Sequence, residues 1–136
     1  MAKYAAFGTK FKRGAVEVAQ VRNISGPSLS LDTEDVTSHD STGGWEEVVA
    51  TILRSGEVTL DLVYDPAAAT HKNAAGGILA DLVGRASTTY SIVFPDAAAT
   101  TWSFTAFCVG FEPSMPHDGA LTASVTYKIT GPLTLA

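Results

Sequence analysis

Apolar and polar side chains alternate along several segments of the chain, which is the pattern of half-buried β-strands. The clearest alternation covers residues 121–129, where Leu, Ala, Val, Tyr and Ile are separated by Thr, Ser and Lys. Residues 28–33, 57–64 and 90–94 show the same period, and residues 16–22 show it imperfectly. Gly, Pro and Asp bound most of these segments, as is typical of strand ends, and Gly131-Pro132 is expected to end the last one.

The alternation changes phase within residues 101–112, which form a further predicted strand. Phe104 and Cys108 share one side of this strand, whereas Phe107 and Phe111 share the other. Such a change indicates either burial on both faces or a β-bulge. The pattern as a whole predicts six or so antiparallel strands.

One helix is predicted between the strands, within residues 67–85. Its apolar residues fall on a single stripe, and Gly84 suits the position just past the helix end. Because Gly76-Gly77 weakens the first half, we place the helix from about residue 74 onward. The stripe consists of Ile78, Leu79, Leu82 and Val83. We therefore expect an α+β, mainly β fold: an antiparallel β-sandwich or barrel with one flanking helix.

Residues 35–56 fit neither pattern and are predicted to form a long irregular loop. Loops of this length are uncommon in compact domains and are usually functional or disordered. Residues 37–44 are polar and glycine-rich, whereas Trp45 and the aliphatic residues that follow are apolar. Exposed apolar residues of this kind indicate protein–protein contact. The alternative is that the loop folds back as an irregular strand on its own core.

Composition and charge describe a chain of single-domain size with an uneven charge distribution. The chain has 136 residues and a net charge of −5. Lys3, Lys10, Lys12 and Arg13 are four of the nine basic residues, and all 14 acidic residues follow them. We therefore predict a basic N-terminal arm at residues 1–14 that contacts the acidic body of another copy, and one domain at 15–136. A solvated, flexible terminus is the equal alternative.

The sequence predicts neither a membrane segment nor a disulfide framework. No apolar run is long enough to cross a bilayer, and the N-terminus does not have the form of a secretory signal. The single cysteine, Cys108, cannot form an internal disulfide, and a reducing cytoplasm suits its synthesis.

No set of residues in the sequence indicates catalysis, a metal or a cofactor. His39, His71 and His117 have no second His or Cys at a metal-ligand spacing. Ser38, His39 and Asp40 are adjacent in a loop, where the geometry of a catalytic triad is not expected. Cys108 is predicted to be a small core residue. We therefore expect a protein that is not an enzyme and that binds no metal or cofactor.

The order of several motifs along nearly the whole chain resembles the major tail tube proteins of long, non-contractile-tailed bacteriophages. Residues 18–41 contain an Ile-Ser-Gly-Pro turn before an alternating strand and an Asp-x-Thr-x-x-Asp-Ser run. Residues 53–66 contain a Gly-Glu-Val strand that ends in Tyr-Asp-Pro. A strand ending in Phe-Pro-Asp at 90–96 and the segment 104–131 complete the set. No single motif is diagnostic, and the resemblance depends on the order.

This resemblance implies a structural virion protein that forms hexameric rings, which stack into the tail tube and conduct DNA during ejection. It implies contacts with its own copies and with the tape measure, terminator and tail-tip proteins, only transient passage of DNA, and no membrane. It places the protein in the virion tail, with assembly in the host cytoplasm. It also implies that the long loop reaches between rings and that strands line the lumen.

Three groups of site residues follow from the resemblance together with strand parity. The loop residues expected to contact the next ring are Thr37, Ser38, His39, Asp40, Trp45, Val48, Val49, Ile52 and Leu53. The arm residues expected to contact a neighbouring ring are Lys10, Lys12 and Arg13. The residues expected to line the lumen, on two strands predicted to be antiparallel neighbours, are Ser30, Asp32, Glu57, Thr59 and Asp61. The polar face of residues 122–128 is the next candidate for the lumen.

Other functions remain open at the level of the sequence. The inner tube of a contractile tail, a secretion-system tube and a tail terminator share the fold by analogy. A small-ligand-binding β-barrel would instead be monomeric, with a pocket of convergent polar groups. An enzyme is the weakest alternative, because no catalytic set is present.

Overall fold

A computed structural model describes residues 3–135 and confirms a mainly β fold with one α-helix. Met1 and Ala2 of the predicted arm and Ala136 of the predicted domain lie outside the described residues. No helix in this part of the chain is long and apolar enough to cross a membrane. The elements are β1 (Lys10–Arg13), β2 (Val16–Glu17), β3 (Val21–Ser25), β4 (Ser30–Asp35), β5 (Val48–Arg54), β6 (Glu57–Val63), α1 (Ile78–Val83), β7 (Ser87–Val93), β8 (Thr101–Ser114) and β9 (Thr122–Thr134).

Seven strands form one antiparallel sheet, in the order β2-β1-β7-β8-β9-β6-β3. The sheet curls around its own core. Phe11 on β1 lies with its ring centroid 5.5 Å from that of Tyr90 on β7. The same ring lies 5.3 Å from that of Tyr127 on β9, although β7 and β8 separate the two strands in the sheet. The predicted sandwich or barrel is therefore a single sheet curled into a half-barrel.

Strand β6 shows why the alternation in the sequence was informative. Val58, Leu60 and Leu62 have no exposed surface, whereas Glu57 and Asp61 are exposed. Successive side chains on a strand point to opposite faces, so a strand with one buried face must alternate. The predicted inward face of this strand is confirmed, and β9 shows the same arrangement.

A β-bulge explains the change of phase in β8. Cys108 pairs with Tyr127 and Gly110 pairs with Thr126, which leaves Val109 as an extra residue. The bulge returns Phe111 to the inward side, where it packs against the core, while Phe107 and Val109 remain exposed outside. Of the two explanations that the sequence left open, the bulge accounts for Phe111.

Three predicted boundaries are wrong for local backbone reasons. The helix begins only at Ile78, because Gly77 has an extended backbone (φ −91°, ψ 154°) and the residues before it form turns and bends. The predicted strand 16–22 is broken where Gln20 adopts a φ of 59°. Strand β9 continues beyond Gly131-Pro132 to Thr134. The predicted end of the helix at Gly84 is correct.

Part of the predicted N-terminal arm belongs to the main sheet. β1 pairs with β7, and Phe11 on β1 is completely buried. Residues 3–9 form no strand or helix and are mostly exposed. The segment that can act as an arm is therefore shorter than residues 1–14, and the division into arm and domain stays a prediction.

Candidate assembly interface

The predicted irregular loop at residues 35–56 is shorter than expected, because residues 48–54 form a strand and only residues 36–47 are a long loop. β4 and β5 form a separate two-stranded antiparallel sheet with pairs from Ser30–Arg54 to Asp35–Val48. We call residues 30–54 the hairpin. β5 escaped detection because its apolar residues do not alternate. Val48 and Val49 are adjacent and therefore point to opposite faces, so apolar side chains are present on both faces.

The hairpin projects from the domain instead of packing on it, which excludes the alternative of a strand folded back on the core. All seven residues of β5 are exposed. β4 and β5 pack against each other and against no other described strand or helix to a comparable extent. Without a partner, a two-stranded hairpin is marginally stable.

Two glycines hold the root of the hairpin. Gly56, with a φ of +70°, lies so close to the Ser28 carbonyl that an added Cβ would be 2.5 Å from its oxygen. Gly26, with a φ of +97°, lies equally tightly against the backbone of Glu57 and Val58. The chain entering the hairpin and the chain leaving it therefore touch directly. Residues with a side chain rarely adopt such a φ and would not fit the space.

The polar residues of the predicted contact group organise the tip of the hairpin. The Glu47 backbone N–H donates to Thr37 Oγ1 at 2.8 Å. The Ser38 N–H donates to Ser41 Oγ at 3.0 Å, and the Asp40 N–H donates to Ser38 Oγ at 3.3 Å. His39 is exposed at the same tip. These bonds fix the backbone of the tip, which presents the apolar residues beside it.

The apolar residues of the predicted contact group are exposed. Of the sixteen exposed large hydrophobic side chains among the described residues, eight lie between residues 29 and 53. They are Leu29, Leu31, Val36, Trp45, Val48, Val49, Ile52 and Leu53. Trp45 is 78% exposed and Leu53 is 81% exposed. Such a concentration on one projecting element is typical of surfaces that contact other proteins.

The predicted lumen residues are divided between two places. Glu57, Thr59 and Asp61 lie on β6 opposite Lys128, Thr126 and Ser124 on β9. We call these six outward side chains the polar face. The first candidate for the lumen and its alternative, the outward face of residues 122–128, are therefore one surface.

The predicted pairing of residues 30–33 with β6 is wrong. β6 lies between β3 and β9, so Ser30 and Asp32 are on the hairpin instead. Asp32 accepts a hydrogen bond of 2.7 Å from Arg54 there. The error came from assuming that successive strands are neighbours.

Arg13 is bound within its own chain, unlike the other two predicted arm residues. Its Nε and Nη2 donate hydrogen bonds of 2.8 Å to Asp81 Oδ2 and Oδ1 on α1. Tyr90 donates a further bond of 2.6 Å to Asp81 Oδ2. Burial opposes ionisation of Asp81, but the bonds from Arg13 and Tyr90 outweigh it and hold its pKa below the usual value. Lys10 and Lys12 point away from the buried Phe11 on the same strand.

His71 and Cys108 are both buried within the domain. His71 is completely buried; its Nδ1 accepts from the Asp65 N–H at 3.2 Å and its Nε2 lies 2.7 Å from the Ala19 carbonyl oxygen. Cys108 lies in the core, where burial raises the pKa of its thiol to about 11. His39 and His117 are exposed. Residues 3–135 contain no group of three or more His, Cys, Asp or Glu side chains that could hold a metal ion.

Sequence reasoning missed the glycines at the hairpin root, the Asp81–Arg13 pair and the buried His71. The sequence did contain a signal for the hairpin root, because Gly26 lies just before the hairpin and Gly56 just after it. The pair joins residues 68 positions apart, and no short-range pattern reports such a contact.

The chain is a half-barrel that projects an exposed, apolar hairpin. Solved structures share this fold. A chain from the virion of a native gene transfer agent particle has a TM-score of 0.76 and 17% identity, covering 98% of this chain and 99% of that one. A chain from an extracellular contractile injection system, in a structure of its sheath/tube terminator, has a TM-score of 0.75 and 15% identity, covering 100% and 98%. A chain from the tail of an empty gene transfer agent particle, with C6 symmetry, has a TM-score of 0.62 and 19% identity, covering 88% and 84%.

The family is identified by the sequence. The model of the family described as lambda phage tail tube protein matches residues 5–136, so the chain belongs to that family. No curated protein matches the sequence. The resemblance stated from the motifs is confirmed, and the chain is a structural tail tube protein.

Proposed function

We propose that copies of this chain form hexameric rings that stack into a tail tube, with the hairpin as the element that joins them. The observation that carries this proposal is the hairpin itself, which is exposed along its length and apolar on both faces. Because both faces are apolar, a single flat contact leaves one of them in water. A hairpin clamped between copies buries both. The C6 symmetry of a tail structure with the same fold supports six copies in a ring.

The exposed apolar area of the hairpin contributes substantially to assembly. Full burial of one large aliphatic side chain contributes about 1.5–3 kcal/mol, so covering eight half-exposed ones contributes on the order of 1 kcal/mol each. Association costs about 4–15 kcal/mol in lost motion. One hairpin contact therefore only roughly balances this cost, and the further contacts that a closed ring adds for each copy supply the surplus. This balance favours cooperative assembly.

The polar face of β6 and β9 supplies a suitable wall for the channel. Hydroxyl groups occupy its centre, with Glu57 and Asp61 on one strand and Lys128 on the other. DNA carries a high density of negative charge. Carboxylates on the wall repel the phosphates, and hydroxyl groups carry no charge that would attract them. Because the wall has few cations, DNA passes without being held.

The remaining contacts belong to the ends and seams of the tube. Lys10 and Lys12 would meet the acidic surface of a neighbouring ring, without Arg13. The tape measure, terminator and tail-tip proteins would meet the lumen and the two ends of the tube, after assembly in the host cytoplasm. Passage of DNA is transient and independent of its sequence, and no membrane partner is involved.

Shortening the hairpin tests the proposal directly. Asp35 and Val48 form the last pair of the hairpin, so residues 36–47 can be replaced by Asn-Gly, which closes a two-residue turn. We expect this variant to keep the cooperative unfolding of the half-barrel and to remain unassembled where the full chain forms tubes in electron micrographs. If the shortened chain still forms normal tubes, residues 36–47 at the tip of the hairpin do not join the copies. A full chain that stays monomeric at every concentration contradicts the proposal as a whole and favours a monomeric binding barrel.

A further inference from the structure

An apolar groove lies at the root of the hairpin, between the N-terminal segment, the end of β3 and the β7–β8 turn. Its walls include Tyr4, Ile24, Phe94 and Trp102. Phe94 and Trp102 meet edge to face, with centroids 5.1 Å apart. The groove has a volume of about 560 Å³, within the range of pockets that bury a small ligand. This volume exceeds that of an indole ring.

Trp45 is the side chain best suited to fill such a groove, but it cannot reach the groove of its own chain. Trp45 lies at the far end of the hairpin and is 78% exposed. The six residues of β4 span roughly 20 Å at about 3.3 Å per residue. Because Ile24 and Gly26 line the groove immediately before the hairpin begins, the tip and the groove lie at opposite ends of the same arm.

We propose that Trp45 of one copy inserts into the groove at the hairpin root of a second copy. The proposal rests on the proposed function and adds the acceptor surface that the hairpin requires. A large aromatic side chain that enters a hydrophobic pocket is the usual anchor of a protein interface. The bonds within the tip, between Thr37 and Glu47 and between Ser38 and Ser41, hold the backbone beside Trp45 in place before binding.

The charges around the two surfaces are complementary. Residues 34–47 contain five acidic residues and no Lys or Arg, and two of the acids, Glu46 and Glu47, directly follow Trp45. The segment that lines the groove is bounded by Lys3 and Lys10, and residues 3–13 contain no acid. The groove includes Asp96, whose carboxylate already accepts hydrogen bonds of 2.7 and 2.6 Å from Thr100. Asp96 is the one charged residue in the lining, and the two lysines that flank the lining segment in sequence would attract the negative tip, which favours association.

A tip-to-root contact uses two different surfaces of the same chain. Such heterologous contacts close into a ring or continue into a filament, depending on the rotation between copies. Every copy offers one tip and one groove, so no copy inside the assembly leaves either surface unused. This property suits a tube of indefinite length.

A double-mutant cycle on Trp45 and Tyr4 tests the contact in the full chain. Both side chains are exposed in the subunit, at 78% and 62%, so their truncation leaves the core intact. We expect Trp45→Ala to raise the concentration needed for assembly at least tenfold, measured by sedimentation, and Trp45→Phe to raise it less. Met115→Ala removes a side chain that is 73% exposed on the β8–β9 loop and is the control, with no effect expected. Since residues in contact do not behave additively, Tyr4→Ala is expected to have little further effect in the Trp45→Ala background.

Charge reversal gives an independent test of the same contact. We expect two double variants to weaken assembly at low salt. One combines Glu46→Lys with Glu47→Lys, and the other combines Lys3→Glu with Lys10→Glu. Combining all four is expected to restore part of it, and screening at high salt is expected to reduce these differences. Tubes that form normally with Trp45→Ala, or strictly additive effects of Trp45→Ala and Tyr4→Ala, overturn the contact while leaving the proposed function intact. Failure of the unmodified chain to assemble contradicts the proposed function instead.

Discussion

Arg13 and Asp81 are joined by two parallel hydrogen bonds of 2.8 Å, which tie the first strand of the main sheet to the only α-helix in residues 3–135. Asp81 is 4% exposed and Arg13 is 28% exposed. Tyr90 donates to the same carboxylate from β7. A helix of six residues is too short to be stable alone. Its position therefore depends on this group of three side chains and on the burial of Ile78.

We predict that Asp81→Asn destabilises the subunit by about 3 kcal/mol at neutral pH, since it leaves a partly buried Arg13 without its counter-charge. The pKa of Asp81 is lower in the folded chain than its ordinary value of 3.8. Its contribution is therefore complete above about pH 4 and is lost as the pH falls through the lower, folded value. Chemical denaturation at several pH values should show a flatter acid dependence in Asp81→Asn than in the unmodified chain.

Asp32→Asn is the matched control for this measurement. Asp32 also pairs with an arginine, Arg54 at 2.7 Å, but both side chains are largely exposed. Exposed pairs contribute about 0–1 kcal/mol. Equal losses of stability in the two variants would contradict the role assigned to the buried pair.

We predict opposite outcomes for the removal of two buried tyrosine hydroxyls. Tyr90→Phe loses the 2.6 Å bond to Asp81 and is expected to cost about 1–2 kcal/mol. Tyr127 is completely buried, and its hydroxyl has no hydrogen-bond partner within residues 3–135. Tyr127→Phe is therefore expected to be neutral or stabilising, because an unpaired buried polar group is itself unfavourable. Thermal melts of the two variants decide the point, and a large loss in Tyr127→Phe would show that its hydroxyl is bonded, for example to a buried water.

We predict that Gly56→Ala disturbs the direction of the hairpin and impairs assembly more than folding. An added Cβ would meet the Ser28 carbonyl, so the two chains at the root must separate. Gly76→Ala is the control, because it lies outside the hairpin. Gly76 also has a positive φ, +90°, but an added Cβ there meets nothing within 4 Å. Both variants bear the backbone strain of about 1 kcal/mol, and only Gly56→Ala is expected to block tube formation in electron micrographs. Normal tubes from Gly56→Ala would show that the root tolerates a change of angle.

We predict that Glu57→Lys combined with Asp61→Lys leaves folding intact and slows DNA release from assembled particles. Both side chains are exposed on the polar face, so the core is unaffected. Lysines on a channel wall would attract phosphates, and the delay should decrease at high salt. Glu57→Gln with Asp61→Asn is the control, which removes the charges without adding cations and is expected to release DNA at nearly the normal rate. Unchanged release from the lysine variant, or a tube reconstruction that places both carboxylates on the outer surface, would show that this face does not line the channel.

Part of the half-barrel was predictable because β6 and β9 each have one face buried in the core and one face directed to solvent. Residues 57–63 and 122–129 alternate for that reason, and their inward residues are those that the alternation indicates. The bulge in β8 was also visible, as a change of phase. Where both faces of a strand are exposed in the single chain, as in β5, burial does not impose alternation, and the strand was missed.

The sequence by itself determined the mainly β class, the inward faces of the regular strands, the end of the helix at Gly84 and, through the order of its motifs, the family. These properties depend on neighbouring residues and on the period of the backbone. Only the tertiary structure decided that Arg13 binds Asp81 and that β6 lies beside β9 rather than β4. It also decided that residues 30–54 form a hairpin, fixed at its root by two glycines. Each of these joins residues far apart in the chain. Such contacts are set by the packing of the whole core, which leaves no periodic trace in the local sequence.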